Sequence, residues 1–119
     1  MLPYVLDVNR KGSKKRLAEL ARKTGMVKSG QANKSDSDIA DHLIAQVREL
    51  IATLHIDPTV KGMQSSDFDN IAKAAAKEVS DTYAVPTYLS AAEIKAILTK
   101  IQQASDEHAS RDSKNDKVA

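Results

Sequence analysis

Apolar residues recur at helical spacing along most of the chain, and the pattern predicts five helical segments. The third is the clearest. Ser35, Asp36, Ser37 and Asp38 offer N-caps and put negative charge in the first turn, where the helix dipole favours it. Ile39, Leu43, Ile44, Val47, Leu50, Ile51 and Leu54 then repeat on one face, with Arg48 and Glu49 on the other. The spacing predicts a helix over 36–54. Pro58 ends any continuation, because it restricts Asp57 before it.

Two shorter segments precede it. Leu2, Val5, Leu6 and Val8 mark a helix over 2–8, with Pro3 near its start and Asn9, Arg10, Lys11 and Gly12 as its stop. Ser13 then caps a second helix over 13–24, whose narrow stripe is Leu17, Leu20 and Ala21 and whose end is marked by Gly25. The polar stretch from Lys28 to Lys34 reads as a loop.

Two segments follow the third. The fourth starts at Ser65 or Ser66 and covers about 66–80, with Phe68, Ile71, Ala72, Ala75 and Val79 as its face. The fifth covers 90–103. Ser90 and Glu93 form a capping box there, Leu89 and Ile94 have the spacing of a hydrophobic staple, and Ile94, Ile97, Leu98 and Ile101 carry the core stripe. Beyond Gln103 the residues turn polar. They offer too little apolar surface to order themselves, so 105–119 is expected to be a disordered tail.

Composition narrows the fold to an all-α helical bundle over residues 1–104. The 119 residues make one domain's worth of chain. One Phe, three Tyr and no Trp leave burial to aliphatic side chains and alanine, and only three Pro and four Gly interrupt the helices. No Cys is present, which removes disulfides, thiolate nucleophiles and cysteine-based metal sites and suits a cytoplasmic location. No apolar run approaches the ~20 residues of a membrane span. Met1 to Asn9 lacks the basic start and the small-residue cleavage site of a signal peptide. Eighteen basic and sixteen acidic side chains nearly balance, so nucleic acid is not an expected partner. The local run Arg10, Lys11, Lys14, Lys15 and Arg16 reads as a solvated face.

Chemistry is sparse. Gly12, Gly25, Gly30 and Gly62 are scattered and form no phosphate-binding loop. His42 lies four residues after Asp38, a spacing that could share a metal, but no third ligand is near. His55 stands at the end of the third helix, where it reads as a cap, and His108 lies in the polar tail. Asp67 and Asp69 read as first-turn charges, and Ser35, Ser65, Ser66 and Ser90 as caps. The segment from Asp81 to Tyr88 is a polar connection holding Tyr83 and Tyr88. No residue is assigned as catalytic, cofactor-binding or metal-ligating.

Five stretches together resemble the C-terminal part of the iron-dependent, group III alcohol dehydrogenases. They are Leu2 to Asn9, Leu17 to Arg22, Val47 to Pro58, Phe68 to Ala75 and Leu89 to Ile94, in the family's order, covering residues 1 to 103. The resemblance implies a parent enzyme that moves hydride between an alcohol or aldehyde and a nicotinamide. Its N-terminal α/β domain holds NAD(P), and its helical C-terminal domain supplies an iron site of one Asp and three His. The matched helices all follow those ligands and the nucleotide-binding glycines. The resemblance therefore implies a truncated helical domain, inactive alone and without iron or NAD(P) of its own. The alternative is a non-enzymatic interaction module. The expected partners are a second copy in a weak homodimer, with Leu2, Val5 and Leu6 at the contact, or the missing N-terminal half. There are departures too. Val85, Pro86 and Thr87 stand near the family's Asn-Pro-Arg, and His55 replaces a family Gly.

Overall fold

The computed structural model describes residues 1–31, 33–57, 60–82 and 84–115. Among them there are four α-helices and no strand: α1 (Leu2–Lys23), α2 (Asp36–Thr53), α3 (Phe68–Thr82) and α4 (Ala91–Asn115). Short 3-10 turns at Ser29–Gln31 and Ser65–Asp67 precede α2 and α3. The all-α fold is thus as the periodicity predicts. Pro58, Tyr83 and residues 116–119, to which the sequence reading gave roles, lie outside the described residues.

The chain divides into two compact units, one of Leu2–Ile56 and one from Asp57 onward. In the first, α1 packs on α2. Ala18 and Ala21 meet Ile39 and Leu43 in a small core, with Leu17, Met26 and Val27 packed against it. Alanines at the contact let the two helix backbones approach closely.

One predicted break is absent. The sequence reading stops a first helix at Asn9 to Gly12 and starts a second at Ser13, whereas α1 runs unbroken through both. A glycine in a helix interior costs only about 1 kcal/mol, and tertiary contacts on the preceding turns oppose that cost. Arg10 grips both carboxylate oxygens of Asp41 and donates to Ser37 Oγ at 2.7 Å, while Arg48 pairs with Asp7. Arg48 also stacks its guanidinium 5.8 Å from the centre of the Tyr4 ring. Farther along, Arg22 pairs with Asp36 at 2.9 Å. The partners lie far apart in sequence, so no local pattern announces them.

Both ends of the turn between α1 and α2 are capped. The N–H of Met26 donates to the carbonyl of Ala21 at 3.1 Å, and Gly25 takes the left-handed conformation at φ 73°. This is the Schellman closure that the position of Gly25 predicts. Ser35 then caps α2, accepting from the backbone N–H of Asp38.

The α2 stripe is covered along only part of its length. Ile39, Leu43 and Ile44 are buried, whereas Leu50 and Leu54 are 53% and 59% exposed. On α1, Leu20 faces solvent and Ala18 takes the core place that the stripe reading gave it.

In the second unit α3 packs on α4, and Phe68, Ala72, Leu98 and Ile101 are its buried apolar residues. Ile71, assigned to the same face from sequence, is 42% exposed. Gln64, rather than Ser65 or Ser66, stands at the cap position of the turn before α3, and it makes no side-chain cap bond. The capping box of α4 forms as expected: Ser90 N–H donates to Glu93 Oε2 at 2.8 Å, and Glu93 N–H to Ser90 Oγ at 3.3 Å.

α4 continues through the polar residues after Gln103 to Asn115. The residues from Asp106 to Arg111 are exposed, so burial does not hold them. Helix propagation needs none: one local backbone bond forms per residue once a nucleus exists, and no Gly or Pro interrupts this stretch.

Two carboxylates of this unit give it a pH dependence. The Lys95 ammonium, hydrogen-bonded at 2.7 Å, holds Asp69 below its ordinary range. The backbone N–H and the hydroxyl of Ser90 lower Glu93. Folded values below unfolded ones mean that the contribution is complete above the unfolded values, about 4. It is lost as pH falls through the lower folded values. Helicity followed by circular dichroism is expected to melt earlier at pH ~3 than at pH ~7, and Glu93→Gln to narrow the gap.

Candidate functional site

The first turns of α2 hold the sequence's best metal candidates. The Ser35 cap places Asp38 and His42 one turn apart on the same side of the helix. They line a recess of about 70 Å³ together with Val27, Gln31, Lys34 and Ile39. Ser35 Oγ donates to Asp38 Oδ2 at 2.7 Å, so one of that carboxylate's oxygens is engaged in the cap. Among the described residues no three His, Cys, Asp or Glu side chains come together as a metal-binding group. The volume admits a few waters and falls well short of the roughly 300 Å³ at which ligand pockets begin.

The remaining candidates are dispersed. His55 lies beyond the end of α2, and His108 on the exposed part of α4. Asp69 is tied to Lys95, and Asp67 belongs to the 3-10 turn before α3. The serines at 35 and 90 are engaged as caps. In the connection after α3, Thr87 is half-buried, with its hydroxyl oxygen enclosed and unpartnered, while Tyr88 is 64% exposed. The basic run divides in function. Arg10 is spent on Asp41 and Ser37, and Lys11, Lys14, Lys15 and Arg16 remain exposed as the sequence suggests.

Comparison with known families gives one result. The profile of the Fe-containing alcohol dehydrogenase family, C-terminal, matches residues 1–102. The chain belongs to the Fe-containing alcohol dehydrogenase family. No curated protein and no solved structure matches it.

The match covers both helical pairs up to the middle of α4 and stops before its polar extension. Among the described residues no group of three or more His, Cys, Asp or Glu side chains is brought together that would fit the family's iron. No step of the family's chemistry is assigned to those side chains.

His55 takes the left-handed conformation usual for glycine, with φ 54°. Its N–H donates to Ala52 and that of Ile56 to Ile51, both at 3.1 Å, which completes a second Schellman closure. The cap is therefore made by the backbone of His55 and Ile56. A side chain in this region costs about 1–2 kcal/mol, and glycine returns ~0.5–1 kcal/mol of that through its freer unfolded state. His55→Gly is therefore expected to stabilise the chain by about 0.5–1 kcal/mol in urea melts, and His55→Ala to give no such gain.

Proposed function

We propose that this chain is the helical C-terminal part of an iron-dependent, NAD(P)-linked alcohol dehydrogenase and does not catalyse alone. The observation that carries this reading is the family match over residues 1–102. It is supported by the described residues, among which no three His, Cys, Asp or Glu side chains gather as a metal-binding group. In the family's reaction hydride passes between an alcohol or aldehyde and a nicotinamide, with a metal polarising the oxygen. On this reading those groups are held elsewhere, and α1–α4 provide packing.

A second reading is favoured by the exposed Leu50 and Leu54. The chain then acts as a non-enzymatic module that docks on a separate polypeptide bearing the nucleotide- and metal-binding parts. No helix among the described residues is long and apolar enough to cross a membrane, so α1–α4 are not offered as an anchor.

The test is turnover. The purified chain is supplied with ferrous iron or zinc, NAD+ or NADP+ and a series of primary alcohols, and reduced nicotinamide is followed by its absorbance. The expected rate equals that of the protein-free control. Chelator-sensitive turnover by this chain alone contradicts the reading.

A further inference from the structure

We propose that the first half of α1, from Leu2 to Lys11, is a strap that ion pairs fasten to α2. It opens about Gly12 as ionic strength rises, while the second half of α1 stays packed. The two halves are held in different ways. The α1 residues of the small core and its edge, Ala18, Ala21 and Leu17, all lie beyond Gly12. Before Gly12 only Pro3 is buried; Leu2 and Val5 are exposed, and Leu6 and Val8 are half-buried.

What ties the first half down is polar. Arg10 grips both carboxylate oxygens of Asp41 and donates to Ser37 Oγ, and Arg48 pairs with Asp7 while lying over the Tyr4 ring. Ser37, Asp41, Ile44 and Arg48 are spaced by four, three and four residues, so they share one side of α2. The two ion pairs stand on either side of Ile44, which is 4% exposed. The strap therefore covers Ile44, and opening uncovers it.

The fastening is weak enough to be reversible. The side chains of Arg10, Asp41, Arg48 and Asp7 are 34–54% exposed. An exposed ion pair shifts an equilibrium by about fivefold at most, and salt screens it. The screening length falls from ~10 Å at 0.1 M salt to ~3 Å at 1 M. Gly12 lies where the helix must break for the strap to leave, and glycine eases that break about fivefold relative to alanine. Arg22 and Asp36 also pair across the two helices, but the core beside them holds the second half when that pair is screened.

Amide hydrogen exchange of the full chain at 0.1 M and 1 M sodium chloride, at one pH, tests this. At 1 M salt the protection of the amides from Asp7 to Lys11 is expected to fall about fivefold, while that from Ala18 to Lys23 changes less than about twofold. Asp7→Asn combined with Asp41→Asn is expected to lower protection from residue 7 to 11 about tenfold at 0.1 M salt, with an unchanged circular dichroism spectrum, and to remove most of the salt dependence. Gly12→Ala is expected to raise it about fivefold. Equal loss of protection in both halves means that α1 opens as one helix and overturns the proposal. So does protection from Asp7 to Lys11 that neither salt nor the double substitution moves. A Gly12→Ala chain that exchanges like the parent removes the hinge and overturns it as well. These readouts involve no turnover, so the dehydrogenase reading stands or falls separately.

Discussion

Phe68→Ala is expected to lower stability by about 3–5 kcal/mol. Phe68 is the sole phenylalanine and is 2% exposed at the first position of α3. Aromatic side chains are so few that no neighbour of similar size can fill the space. Truncation removes the transfer free energy of the ring and leaves a cavity as well. A small domain holds only about 5–15 kcal/mol in total, so the urea midpoint should fall steeply. Phe68→Leu preserves much of the volume and is expected to cost about half as much or less. A midpoint for Phe68→Ala within ~0.5 kcal/mol of the parent, the range of an ordinary surface change, would show that Phe68 does not anchor α3.

Ile39→Ala is expected to cost about 2–5 kcal/mol. Ile39 is 2% exposed and belongs to the core that α1 and α2 share with Ala18, Ala21 and Leu43. The alanines opposite have no side chain to move into the hole, which favours the upper part of that range. The contrast is Leu50→Ala, on the same stripe. Leu50 is 53% exposed, and in dilute solution its truncation is expected to cost under about 1 kcal/mol. Equal losses at the two positions would mean that the stripe is covered along its whole length. Chemical denaturation monitored at low micromolar concentration separates the two outcomes.

The fold was legible wherever the signal is local. Ser35 and Asp38 at one helix start, Ser90 and Glu93 at another, and Gly25 at an end are patterns within a few residues, and each forms the bond its spacing implies. The seven-residue stripe of α2 gave that helix to within a residue at its C-terminal end. What was not legible depends on partners distant in sequence. Gly12 looks like a stop until Arg10 is seen bound to Asp41, 31 positions away. Leu20 and Ala18 are equally plausible core residues until the neighbouring helix chooses between them. The polar end of α4 lacks burial, the usual signal of order, yet continues a helix already formed. The candidate site divides in the same way. His42 and Asp38 are brought together as their spacing suggests, while Lys34, which lines the same recess, comes from the loop before α2 and could not be placed from periodicity.

Calorimetric titration of the purified chain with ferrous iron, and separately with zinc, bears most directly on the claim that this is a helical domain without a metal site of its own. The expected result is no saturable binding at submicromolar affinity with either ion, and traces unchanged by His42→Ala or His55→Ala. Stoichiometric binding at submicromolar affinity that either substitution abolishes would contradict it, because His42 or His55 would then be a metal ligand.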